Sequence, residues 1–327
     1  MASKATLRNR SECTDFSARN GADGQLKVIY VAGYGRSGTT LLSIALGEHP
    51  SVFGAGEIHE LTRSAWTQNN YCACGAPLQE CEFWSAAMRC WLSAAPADFV
   101  ERYRRLQSTI ENSFRPACLK RGKARSEFAE ATLALFREIA SASGKSVIVD
   151  SSKLPGRAEA LARIPGLDVY VVHLVRDGRG VAWSLKKSYR RDVKAGLQRE
   201  LRPKSTVRTS LRWTLVNIAA ESLARAVGPG RYLRVRYEDF STDPADVLDR
   251  IGTFVGIDFG GVGARLEKGG RMSPRHQLAG SRLRMSPSIK VEKDETWSAQ
   301  MPATSRRLFT VFSWIMLRRY GYVPDRR

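Results

Sequence analysis

Residues 33–40, GYGRSGTT, have the composition of an anion-binding turn. They follow the apolar run KVIYVAG and precede a helical pattern, and glycines at such a junction let backbone N–H groups turn inward around an anion. Gly33 and Gly38 keep the G-x-x-x-x-G spacing of a phosphate loop, but Thr39 stands where an NTPase loop has lysine, with Thr40 behind it. The loop is therefore not a Walker A. Arg36 lies inside it as a fixed cationic fork for an oxyanion, and the two threonines add hydroxyl donors at the helix start. Two further polar clusters follow apolar runs: Asp150, Ser151, Ser152 and Lys153 in VIVDSSK, and Arg176 in VVHLVRDGRGVAWS. Ligands of open α/β sheets bind outside the carboxyl ends of the strands, so these residues are expected to converge on the glycine-rich loop. Read as a Walker B residue, Asp150 points to an Mg-dependent kinase of a small molecule or nucleotide; read as an ordinary Asp after a strand, it caps the next helix.

The elements that must position these residues alternate along the chain. Runs 27–33, 146–150, 168–175 and 233–237 are short, apolar and rich in β-branched residues, as buried parallel strands are. Helical periodicity covers 38–48, 126–142, 155–164, 178–187 and 206–226. This alternation predicts an α/β fold, a P-loop-type parallel sheet flanked by helices. Residues 67–84 break the rhythm with Gly, Pro and cysteines and read as a surface insertion able to cover the site; 260–287 reads as loop, followed by an amphipathic helix over 303–320. The domain reading is a disordered basic arm over 1–25 and a single domain over 26–327.

Composition narrows the function. With 43% hydrophobic and 26% charged residues, the 327-residue chain falls outside the disordered, collagen-like and membrane-spanning classes. Lys+Arg 52 against Asp+Glu 32 leave a net charge of +20, which calls for an anionic partner. Nucleic acid is one such partner, but the cations are spread along the whole chain without a binding motif, so no nucleic acid is required. No run approaches the roughly 18 apolar residues of a spanning helix, and the N-terminal segment lacks the apolar stretch of a secretory signal. A cytoplasmic location is expected.

At this point the motifs carry a resemblance. GYGRSGTT and LVRDGRGVAWS look like the 5′-phosphosulfate loop and the 3′-phosphate segment of sulfotransferases that use 3′-phosphoadenosine 5′-phosphosulfate (PAPS) and release 3′-phosphoadenosine 5′-phosphate (PAP). The resemblance is nearest to the bacterial, carbohydrate and tyrosylprotein branches. It implies that Gly35, Arg36, Ser37, Gly38, Thr39 and Thr40 cradle the 5′-phosphate, and that Arg176 and Ser184, eight residues apart, hold the 3′-phosphate. YEDF at 237–240 resembles the family's Y-E-D segment and implies that Tyr237 borders the adenine. HQLAGSRLR at 276–284 resembles the late cofactor-closing loop, with a departure at Ser281, and implies Arg284 as its cation. Leu41 replaces the aromatic residue that cytosolic members often carry after the paired threonines.

The resemblance also implies a mechanism. Glu57, 21 positions after Arg36, stands where the tyrosylprotein enzymes have their general base. His59 lies two residues beyond, and cytosolic members use a histidine, so either could serve; Glu57 has the better spacing. Lys153 resembles the lysine that stabilises the leaving group, together with Arg36. The acceptor is then a hydroxyl on a glycan, a lipid or a small metabolite, with its pocket shaped by residues 67–95 and 190–210.

Other residues read as structural. His173, inside an apolar strand, is a hydrogen-bonded core residue. Arg179 belongs to a solvated face, and Lys153 and Arg157 have a competing reading as the exposed face of a short helix. His49 and His276 have no partner visible in the sequence. Cys72, Cys74, Cys81 and Cys90 cluster without the paired C-x-x-C spacing of zinc sites, so the expectation is free thiols and no metal. The basic, aromatic segment at the C-terminus could touch a membrane surface, whereas docking its apolar face on the sheet is the commoner arrangement.

Overall fold

The computed structural model describes residues 24–112, 122–188, 190–192, 194–196, 200 and 202–323. All of the expected basic arm except Gly24 and Gln25 lies outside the described residues. Five strands form the sheet: β1 (Leu26–Ala32), β2 (Val52–Gly56), β3 (Val147–Lys153), β4 (Leu167–Val175) and β5 (Tyr232–Arg236). Their order is β2-β3-β1-β4-β5 and every pairing is parallel. The chain runs outward from β1 on both sides, so the crevice at the carboxyl end of β1 is the topological switch point at which such sheets bind ligands.

The flanking helices are α1 (Thr39–Gly47), α2 (Glu82–Leu92), α3 (Phe99–Ile110), α4 (Lys123–Ser143), α5 (Pro155–Leu161), α6 (Gly178–Lys186), α7 (Thr206–Ala226), α8 (Tyr237–Thr242), α9 (Pro244–Val255), α10 (Gly260–Glu267) and α11 (Ala303–Arg319). Strand alternation divides the core between the two faces of the sheet. Val28 and Tyr30 of β1 pack with Trp84, Phe128 and Phe136 on one face. Ile29 and Val31 pack with Leu42, Leu248 and Phe259 on the other. A third cluster joins Val175 and Val181 to Trp213, Phe309 and Leu317 of the C-terminal helices.

The structure adds elements that local patterns do not show. β2 is built from VFGAG, whose glycines lower strand propensity; a Cβ on Gly54 would lie 2.7 Å from the Ser43 carbonyl, so the residue is small because α1 packs directly on it. The stretch read as loop over 260–287 begins with α10, where glycines disfavour helix but Val262 and Leu266 are buried against α9. α11 buries Phe309, Met316 and Leu317 and leaves Leu308, Val311, Phe312 and Ile315 in solvent. Among the described residues no helix is long and apolar enough to cross a membrane.

Candidate active site

The loop between β1 and α1 is shaped by three left-handed residues. Gly33 has φ 140°, and a Cβ there would lie 2.4 Å from the Leu174 carbonyl oxygen of β4. Gly38, at φ 91°, would drive a Cβ to 2.4 Å from the Tyr237 ring. Between them Arg36 adopts φ 73°, a conformation a side-chain-bearing residue rarely takes without a tertiary reason. Its Nε donates to Ser184 Oγ at 3.1 Å and its carbonyl accepts from Arg176 Nη1 at 3.2 Å. The loop is thereby tied to the first turns after β4.

Arg176 follows β4 and lies with its guanidinium 4.3 Å from the Tyr237 ring centroid. Its Nη2 donates to the Asp294 carboxylate at 3.0 Å and to the Asp294 carbonyl at 2.9 Å. Burial works against ionisation of Asp294, but the hydrogen bonds from Arg176 and Thr296 and the Arg176 charge together outweigh it, and the carboxyl titrates below its ordinary range. The Tyr237 hydroxyl donates to the Glu292 carbonyl at 3.3 Å, and burial raises its pKa. On the other side of the crevice, Glu57 follows β2 and donates its N–H to the Leu278 carbonyl at 2.9 Å. Lys153 closes β3 at φ 73° and forms an ion pair with the Glu57 carboxylate.

These groups line one cleft of about 1120 Å³, which also receives Thr39, Thr40 and Gly35. Ten Lys and Arg side chains face it against three acids, Glu57, Glu292 and Asp294, so the cleft is built for a polyanion. Residues 29–260 match the family model described as "Sulfotransferase family". The chain belongs to the sulfotransferase family. It is an enzyme, and its cofactor is PAPS, with PAP as product.

No curated protein matches the sequence significantly. Among solved structures, the sulfotransferase domain of the Synechococcus PCC 7002 olefin synthase has a TM-score of 0.48 at 19% identity, covering 93% of this chain and 97% of that one. Sulfotransferase STF9 from Mycobacterium avium gives 0.44 at 13% identity, covering 94% and 81%. Mouse sulfotransferase SULT7A1, complexed with PAP, gives 0.44 at 12% identity, covering 95% and 93%.

The residues of this sulfotransferase fit a phosphosulfate nucleotide on the structure's own terms. Among the described residues, the buried Ser37 hydroxyl and the Nε and Nη2 groups of the buried Arg284 have no hydrogen-bond partner. Neither side chain lines the cleft, so the fit rests on the ten Lys and Arg side chains that do. Burial pulls the Arg284 guanidinium below its usual range, opposed by the charges of Cys72 and Glu57. Arg284 is fully buried beside the cleft, with Nη1 on Met285 Sδ at 2.7 Å, while Arg282 is the arginine of that loop on the cleft wall. Sequence reading missed Arg282 and Asp294 because neither belongs to a recognisable spacing.

His59 is separated from the sulfotransferase cleft: its buried Nε2 lies 3.2 Å from the Glu60 carboxylate and its backbone N–H donates to Ser152 Oγ. Burial opposes ionisation of Glu60, yet hydrogen bonds from His59 and Ser64 and the charges of His59 and Arg63 together hold its carboxyl down at about 2. Asp150 is fully buried, accepts the Ser152 N–H at 3.0 Å and pairs with Arg157 Nε at 2.8 Å. That removes it from the Walker B role. Arg157 in turn pairs with Glu111 and is 1% exposed, so it is no solvated helix face. Arg179 is also not on a solvated face; it is half-buried, paired with Asp177 at 2.6 Å and stacked 5.0 Å from Trp297. The cysteine insertion does not line the cleft, whereas Lys194, Arg202 and Lys204 from the second expected segment do.

Proposed function

We propose that the chain transfers the sulfuryl group of PAPS to an acceptor hydroxyl on a glycan, lipid or small metabolite, with Glu57 as general base. The observation that carries this reading is the Glu57–Lys153 ion pair on the wall of the same cleft that receives Arg36, Thr39, Thr40, Arg176 and Ser184. PAPS, when bound, supplies a sulfuryl group of low charge whose departure leaves a phosphate. Stabilising that phosphate is the main task, and fixed cations perform it. Backbone N–H groups of residues 35–40 and the hydroxyls of Thr39 and Thr40 bind the 5′-phosphate at the α1 N-terminus.

Lys153 Nζ has three donors, so its contact with Glu57 leaves two for the bridging oxygen, beside the guanidinium of Arg36. Arg176 and Ser184 hold the 3′-phosphate, Tyr237 borders the adenine, and Arg282 faces the cofactor from the late loop with Arg284 buried behind it. Glu57 accepts the acceptor proton at a carboxylate oxygen.

Calorimetric titration with PAP, and separately with ATP plus Mg²⁺, tests the binding half. Metal-independent PAP binding that weakens at least tenfold in Arg176→Ala is expected; binding of ATP alone overturns the assignment in favour of a kinase. For the catalytic half, Glu57→Gln should lower kcat by about a hundred- to ten-thousand-fold while PAP affinity stays within about threefold. His59→Gln, at a residue that does not line the cleft, should retain most of kcat.

A further inference from the structure

Four metal-ligating side chains meet outside the cleft. The sulfurs of Cys72, Cys74 and Cys81 and a ring nitrogen of His276 all lie within 4.8 Å of one another. Cys74 and Cys81 sulfurs are 3.6 Å apart, and His276 Nδ1 stands 3.4 Å from Cys81 Sγ and 3.9 Å from Cys72 Sγ. A tetrahedron with metal–sulfur bonds of about 2.3 Å has edges of about 3.8 Å, so these separations suit four ligands around one ion. They do not suit a disulfide, whose sulfurs lie about 2.05 Å apart, and all three cysteines are free.

Backbone groups converge on the sulfurs as well. Each sulfur accepts a backbone N–H: Cys72 from Cys74, Cys74 from Ala76 and Cys81 from Trp84. Gly75, at φ 88°, makes the tight turn that brings the first two sulfurs together. Cys72 and Cys81 are buried, and the His276 ring is stacked on Phe83 at 5.4 Å. Cys90, grouped with the others on sequence spacing, is disulfide-bonded on α2 and takes no part.

We propose that Cys72, Cys74, Cys81 and His276 bind one zinc ion as a closed structural site. Three thiolates and an imidazole select zinc over the oxygen-seeking magnesium, calcium and manganese, and four protein ligands leave no open position for catalysis. Binding displaces the thiol protons to solvent. The site clasps the insertion to the segment that walls the cleft: Ala73 N–H donates to the Gln277 carbonyl at 3.2 Å, and Trp84 Nε1 to the His276 carbonyl at 2.7 Å. Two residues after His276, Leu278 pairs with Gly56 and accepts the Glu57 N–H. Zinc therefore braces the backbone that carries the proposed base.

The test is metal analysis of the full chain, reconstituted with Zn²⁺ under reducing conditions and then dialysed, together with Co²⁺ substitution. About one equivalent of zinc per chain and the visible absorption of a tetrahedral cobalt–thiolate centre are expected. Cys74 is exposed, so Cys74→Ser should fold and lose most of the zinc, while Cys90→Ala should retain it. Less than about a tenth of an equivalent in the unsubstituted protein, or equal zinc in Cys74→Ser and Cys74→Ser/His276→Ala as in the unsubstituted protein, overturns the proposal. Neither readout depends on PAP binding or turnover.

Discussion

His173 shows how one buried side chain can set the acid limb of stability. Asn217 Nδ2 donates to the Trp213 carbonyl, so its Oδ1 faces His173 Nε2 at 2.9 Å, and the Tyr232 hydroxyl faces Nδ1 at 2.7 Å. The ring is thus the neutral tautomer protonated on Nε2. Burial pushes its pKa down to about 4. Between the ordinary histidine value of about 6.5 and that figure, the unfolded chain binds a proton that the folded chain refuses, so stability falls as pH falls through this window. The loss is on the order of 3 kcal/mol once complete. Urea unfolding of the unsubstituted protein and His173→Gln from pH 7 to 4 should show a shallower decline in the variant; parallel profiles would discard this account.

At the scale of elements, β3, α5 and α3 are joined by charge as well as by apolar packing. Arg157 from α5 reaches Asp150 on β3 and Glu111 just past α3, all three being buried. Burial raises the Glu111 carboxyl even though Arg157 pulls it down. Removing the cation strands two carboxylates, so Arg157→Met should cost about 3–5 kcal/mol. Replacing Asp150, Glu111 and Arg157 together with apolar residues of similar volume should cost less than Arg157→Met alone. Urea midpoints decide between them, and a mild single variant would show that water reaches the triad.

For the whole molecule, the question is which apolar surface holds the fold and which is spare. On α11 Phe309 is fully buried, while Val311 is 72% and Ile315 79% exposed, next to exposed Leu211, Leu215 and Ile218 of α7. Phe309→Ala should cost about 3–5 kcal/mol through lost packing. The combined Val311→Ser, Phe312→Ser and Ile315→Ser variant should shift stability by less than about 1 kcal/mol, since these side chains already meet water. A large loss by differential scanning calorimetry would mean that a further contact covers this face in solution.

The local chemistry was legible in the chain itself. Gly33, Arg36, Gly38 and the paired threonines sit in one strand–turn–helix unit, and Arg176 and Ser184 share another, so spacing along the sequence preserves their meaning. The apolar runs of β1, β3, β4 and β5 and the helix over 206–226 are likewise short-range patterns, read from periodicity alone. What lay beyond the sequence depends on groups distant in the chain. β2 has too many glycines to announce itself, and only its pairing with β3 sets Glu57 against Lys153, 96 residues away. His276 joins cysteines about two hundred residues earlier, a ligand that no C-x-x-C count could supply. Asp294 settles on Arg176, and Arg284 sinks beneath the cleft while Arg282 faces it, because the packing of the late loop against α1 and β2 decides which side chain points where. Composition and spacing determine which chemistry the chain can attempt; burial and long-range contact determine which residues are placed to perform it.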